Sequence, residues 1–194
     1  ADLRRVTVAV AEGLGLRILD VGPTGLVLGC TADSPFALRV ADYRANLTVD
    51  QRVAHGLLLL ALAAYWFPSA EALLDDDDVV QSLDPPLFVG WLVELCTTLS
   101  ATEAQDPAVG TPELRAAYRT ILERAETRKT TDGRRTASTL SGMVESALEQ
   151  LEKGGLVRRT GERWTSTRAY RIQVRELAGH VAFEAVRAAA TRIG

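Results

Sequence analysis

One run constrains the fold of this chain more than any other: GLLLLALAAYWF at residues 56–67. A helix of that composition is apolar on every side and has to be enclosed on every side. At twelve residues it is too short to cross a bilayer, which reserves it for the centre of a folded core. Thr48, Val49, Asp50 and Gln51 set its start as a capping box, in which the Thr48 hydroxyl takes an orphan N–H and Gln51 reaches back. Pro68 stops it. A core helix is therefore expected over residues 48–67.

The elements before it are shorter. Leu3, Val6, Val10 and Leu14 fall at helical spacing, and Gly13 and Gly15 would end that helix. The β-rich RVTVAV within the same stretch equally allows a strand. Two apolar runs then flank Gly22-Pro23-Thr24-Gly25 and predict a β-hairpin. Ser34 and Pro35 suit the cap and first residue of a short helix over 35–47.

After the core helix, Ser69 can cap a short helix over 69–74 that runs into Asp75, Asp76, Asp77 and Asp78. Four consecutive acids read as a solvated turn, because they lack the spaced oxygen ligands of a calcium loop. Asp84 with Pro85 or Pro86 opens the next helix, over 86–99. Its expected core stripe is Leu87, Trp91, Leu95 and Leu99, with Leu92 and Cys96 alongside.

Residues 100–111 carry Gly, Pro, Ser and Thr without periodicity and read as a linker. The charge changes sign there. Residues 1–111 hold six basic and fifteen acidic side chains, a balance of −9; residues 112–194 hold sixteen and ten, a balance of +6. The whole chain is at −3, against the strongly basic profile of a non-specific nucleic-acid binder. Two parts are expected: an acidic helical part over 1–105 with an N-terminal hairpin, and a basic part over 111–194.

Thr111, Pro112 and Glu113 start the basic part with cap, proline and acid in the favoured order. Leu114, Tyr118, Ile121, Leu122 and Ala125 line one face of that helix. A polar connection follows, with Asp132-Gly133 as a turn. Over 139–155, Leu140, Val144, Ala147, Leu148 and Leu151 form an inward stripe, and Gly154-Gly155 ends it. A strand over 156–159 and a turn at Gly161 come next. Tyr170, Ile172 and Val174 alternate with Arg171, Gln173 and Arg175, which predicts a second strand with one buried face. Residues 176–194 predict a final helix through Leu177, Val181, Phe183, Val186 and Ala190, packed on its own core or forming a dimer seam.

The segment ALEQLEKGGLVRR, residues 147–159, is similar to the helix-to-strand junction of many bacterial winged-helix regulators. The resemblance covers residues 112–175 and names a fold superfamily. With it the expected class is mainly α with small β-hairpins (α+β), in a single or tandem winged-helix architecture. It implies a helix around 138–153 entering the major groove of duplex DNA. Thr136, Ser138, Thr139, Ser141 and Ser146 would then reach phosphates or bases. Arg134 and Arg135 would clamp phosphate ahead of the helix, and Arg158, Arg159, Arg163 and Arg168 from the wing.

Glu145, Glu149 and Glu152 on the outward face oppose that role, since carboxylates are repelled by a phosphate backbone. They suit a protein partner instead. The wing arginines by themselves also fit a solvated strand edge that deters aggregation. The three helices over 48–67, 69–74 and 86–99 admit a second, diverged winged helix in the first part. That architecture resembles the tandem winged-helix subunits of bacterial SMC–kleisin complexes, of the condensin-associated and plasmid-defence types. It implies a kleisin-like protein partner, with or without DNA.

No catalytic motif is evident: neither G-x-G-x-x-G nor G-x-x-x-x-G-K-[ST] occurs. Cys30 and Cys96 match no metal spacing and read as buried thiols, with a disulfide left open. His55 and His180 cannot make a metal site by themselves. The sequence-based expectation is a non-catalytic cytoplasmic protein with no cofactor and no membrane segment, acting on duplex DNA, as a homodimer or with a kleisin-like partner.

Overall fold

Thr48 opens the central helix as a capping box: its Oγ1 accepts from Gln51 N at 3.3 Å, and Gln51 Oε1 accepts from Thr48 N at 3.3 Å. The structure is a computed structural model, which describes residues 2–22, 25–31, 34, 47–74, 81–106, 111–127 and 139–193. The elements in chain order are α1 (Asp2–Gly13), β1 (Leu16–Gly22), β2 (Gly25–Cys30), α2 (Val49–Trp66), α3 (Ala70–Leu74) and α4 (Pro85–Gln105). They continue with α5 (Pro112–Thr127), α6 (Leu140–Lys153), β3 (Val157–Thr160), β4 (Arg163–Ser166), α7 (Arg168–Arg175) and α8 (Val181–Ala190). Among the described residues the protein is mainly helical, with two small antiparallel hairpins, β1–β2 and β3–β4.

α2 is largely enclosed, with Leu59, Leu60 and Tyr65 half-buried against the core. Leu57, Leu58, Ala61, Leu62, Ala63, Ala64 and Trp66 are buried, and α5, α6 and α8 pack around the helix. Each fully buried leucine stabilises the fold by about 1.5–3 kcal/mol relative to leaving it in water. One buried cluster runs from Ala54 on α2 through α4, α5 and α6 to Ala190 on α8. Trp66 donates its Nε1–H to Gln81 O at 2.9 Å, which satisfies the one polar atom of its ring.

α4 differs from expectation in length and face. It continues through Gln105, so residues 100–105 are helical rather than linker. Leu87 is 71% exposed and Trp91 only half-buried, whereas Phe88, Leu92, Leu95, Cys96 and Leu99 are buried. The true stripe steps by four, three, one and three residues, and starts one position later than the four-residue ladder. Strict steps of four drift around a 3.6-residue helix, so a long four-ladder cannot stay on one face. Asp84 caps the helix, accepting from Leu87 N at 3.4 Å.

α6 ends in a Schellman motif. Leu156 N donates to Leu151 O at 2.9 Å and Gly155 N to Glu152 O at 2.8 Å, with Gly155 at φ 69. The chain then turns into β3, which pairs with β4 as Val157↔Ser166, Arg158↔Thr165, Arg159↔Trp164 and Thr160↔Arg163. Gly161, at φ 63, supplies the left-handed turn residue.

The expected strand at Tyr170, Ile172 and Val174 is instead helix α7. Thr167 starts it: its Oγ1 accepts from Tyr170 N at 3.4 Å and donates to Leu156 O at 2.9 Å. Residues 163–166 pair with β3 across a two-residue turn, so the partner-strand position is filled before residue 170 is reached. Tyr170, Arg171 and Val174 share a helical face, and Arg171 lies 5.9 Å from the centre of the Phe67 ring.

The last helix starts at Val181, after turns at 176–179, and packs on α2 and α4 with Phe183 and Val186 fully buried. Residues 2–13 are helical, which decides the helix-or-strand alternative there. The helix expected over 35–47 lies outside the described residues except at Leu47, as do Asp75–Asp78 and the Asp132-Gly133 turn.

Candidate functional site

Not all of the residues singled out from sequence fall among the described residues. Arg134, Arg135, Ser138 and Thr136 lie outside the described residues. Thr139 is the cap of α6, its Oγ1 accepting from Gly142 N at 3.2 Å, and Ser141 is half-buried in the first turn. Arg158, Arg159 and Arg163 lie on the β3–β4 hairpin, and Glu145, Glu149 and Glu152 lie on α6.

Cross-strand partners share a face of a hairpin, and alternate residues along a strand share it too. The pairing therefore puts Val157, Arg159, Trp164 and Ser166 on one face and Arg158, Thr160, Arg163 and Thr165 on the other. The first face is largely inward: Trp164 is only 3% exposed. The second presents Arg158 and Arg163 to solvent. Arg159 is structurally engaged. Its guanidinium sits 5.5 Å from the Trp164 ring centre, its Nε donates to Gly161 O at 3.0 Å, and its backbone N donates to Glu152 at 3.3 Å.

Arg168 lies outside the β3–β4 hairpin. It is the first residue of α7, and its Nη2 lies 2.8 Å from Asp20 Oδ2 on β1. Its grouping with the wing follows from the strand expected in place of α7.

The hairpin gains a third backbone partner from far away in sequence. Leu83 N donates to Trp164 O at 2.7 Å, and Trp164 N donates to Leu83 O at 2.9 Å. This fixes the start of α4 beside the hairpin. A cleft of about 350 Å³ opens between them, lined by Asp84, Pro85, Pro86, Glu145, Glu149, Arg159, Glu162 and Trp164. Glu145 and Glu149 face it from α6, while Glu152 sits beyond it against the β3 backbone. Four carboxylates against one guanidinium make the cleft hostile to phosphate and receptive to cations. Asp84, Glu162 and Trp164 do not stand out as site residues in the sequence. Asp84 is legible there as a cap; the other two need the pairing of Leu83 with the hairpin.

Among the described residues no group of three or more His, Cys, Asp or Glu is placed to hold a metal ion. No helix among them is long and apolar enough to cross a membrane. Cys30 and Cys96 are not joined in a disulfide; Cys96 is buried, but Cys30 is exposed, against the expectation of two buried thiols. Burial pushes the Cys96 thiol up to about 12. Comparison with family models, with curated proteins and with solved structures returns no match.

Proposed function

We propose that this is a non-catalytic, DNA-associated protein of winged-helix type, in which the β3–β4 hairpin rather than α6 makes the principal phosphate contacts. The observation that carries the reading is the order α6, glycine stop, tight hairpin, with Arg158 and Arg163 on the outer hairpin face. Two guanidiniums on a protruding face suit phosphate oxygens, which accept bidentate bonds from arginine. The outer face of α6 is acidic at Glu145 and Glu149 and is assigned no base contacts.

Titration of duplex DNA by fluorescence anisotropy at several salt concentrations tests this. Binding that weakens with salt is expected, because phosphate contacts release counterions. No binding at low salt would overturn it.

The acidic cleft favours a second reading, an adaptor whose α6 face binds a protein, as in a kleisin-type assembly. Charge reversal at Glu149 would then abolish co-purification with an identified kleisin-like chain. Recovery of this chain from its source cell only as a lone homodimer would count against it.

A further inference from the structure

The hairpin β1–β2 and helix α1 contribute no described residue to the main buried cluster, which begins at Ala54 with partly buried support from Val53. The side-chain links described between this hairpin and α7 with its end are polar: the Arg17–Glu176 pair is exposed, Asp20 is half-buried against an exposed Arg168, and the Gln173–Leu28 bond is part-buried. Asp20 pairs with Arg168 at 2.8 Å, Arg17 with Glu176 at 2.8 Å, and Gln173 Nε2 donates to Leu28 O at 3.2 Å. A Cβ placed on Gly22 would meet the tip of the Arg168 guanidinium at Nη1, so a side chain there requires that tip to shift beside Asp20.

We propose that the β1–β2 hairpin is an electrostatic latch: Asp20 holds Arg168 in a docked, neutralised state, and release of the hairpin frees Arg168 for an anionic partner. The inhibitory half of this rests on the DNA-associated reading above. Three features make the contact a latch rather than a core interface. Arg17–Glu176 is exposed on both sides and Arg168 on its own side of the pair with Asp20, and ion pairs open to water are weak and screened by salt. A two-stranded hairpin is marginal by itself, so undocking loosens it. Arg168 occupies the N-terminal end of α7, where the helix dipole disfavours a cation, so the Asp20 carboxylate offsets a local electrostatic cost.

The test compares the full chain with D20N, G22A and a charge control, E12Q, which neutralises an exposed acid on α1 away from the contact. Hydrogen exchange of amides over residues 16–30 reads docking. Exchange is expected to speed up in D20N and in G22A, and in the unaltered chain on raising salt to about 0.5 M, but not in E12Q. Duplex DNA titration at one fixed salt reads the consequence. D20N and G22A are expected to bind about two- to five-fold tighter, and adding R168Q to either should remove the gain.

Unchanged exchange in both D20N and G22A would overturn the latch. So would an affinity gain that E12Q reproduces or that survives R168Q. Loss of duplex binding by every protein, with exchange responding as expected, would overturn the DNA reading and the inhibitory role while supporting charge-dependent docking.

Discussion

Leu83 and Trp164 lie far apart in sequence and exchange two backbone hydrogen bonds, at 2.7 and 2.9 Å, while both side chains are buried. The pair joins the start of α4 to the hairpin that follows α6. It thereby builds the acidic cleft and orients the hairpin so that Arg158 and Arg163 face outward.

Trp164→Ala is expected to destabilise the protein by about 3–5 kcal/mol, because a large buried ring leaves a cavity. It also removes the ring under Arg159. A lowered urea midpoint with an unchanged slope is the expected readout. A midpoint within error of the parent would show that the hairpin is not anchored through this residue.

Gly155→Ala forces a side chain into the left-handed region at φ 69, where space is open but the backbone is strained. The expected loss is about 1–2 kcal/mol, smaller for Gly155→Asn, which tolerates that conformation. Thermal denaturation checks the ranking; equal losses for Ala and Asn would argue against backbone strain as the cause.

Arg158→Gln and Arg163→Gln should each weaken duplex binding. Each should also reduce the slope of log affinity against log salt by about 0.9 for every phosphate no longer neutralised. Arg159→Gln should lower stability as well, since Arg159 is tied to Trp164 and Gly161. Anisotropy titrations paired with denaturation separate the two effects. A salt slope unmoved by Arg158→Gln and Arg163→Gln would remove the outer hairpin face from the interface.

Cys96 sets an alkaline limit. Its folded thiol is held up to about 12 by burial, against an ordinary value of 9.0. As pH rises past that ordinary value the unfolded chain loses its thiol proton while the folded chain keeps it. The unfolded state then binds fewer protons, so stability falls with pH until the folded thiol also ionises. Cys96→Ala should lower stability at neutral pH by about 1 kcal/mol and flatten the decline between about pH 9 and 10. Denaturation series at about pH 8 and about pH 9.5, on either side of the ordinary thiol range, measure it; parallel declines in parent and variant would remove Cys96 as the cause. Tyr65, raised by burial and by Asp84, adds a further loss at higher pH.

Where a feature is carried by local chemistry, the sequence discloses it. The Thr48–Gln51 box, the Asp84 and Thr139 caps and the Gly154-Gly155 stop depend on residues within one turn of each other. The α7 segment shows the opposite case. Its alternating residues satisfy a strand pattern, yet eight residues are too few for period alone to separate strand from helix. Thr167 is the signal that separates them, a cap placed immediately before the segment. The site divides in the same way. The hairpin arginines and α6 glutamates can be named from sequence, but the placement of Arg168 on Asp20 cannot.

The sequence by itself determined that residues 56–67 had to be enclosed, because no face of such a helix can remain in water. It also determined where the strongest helices start and stop, since caps and glycines act over a few bonds. Only the tertiary structure decided what α6 and the hairpin present to a partner. That outcome depends on Leu83 meeting Trp164 and Asp20 meeting Arg168, contacts between segments far apart in the chain, which local periodicity and charge counts do not encode.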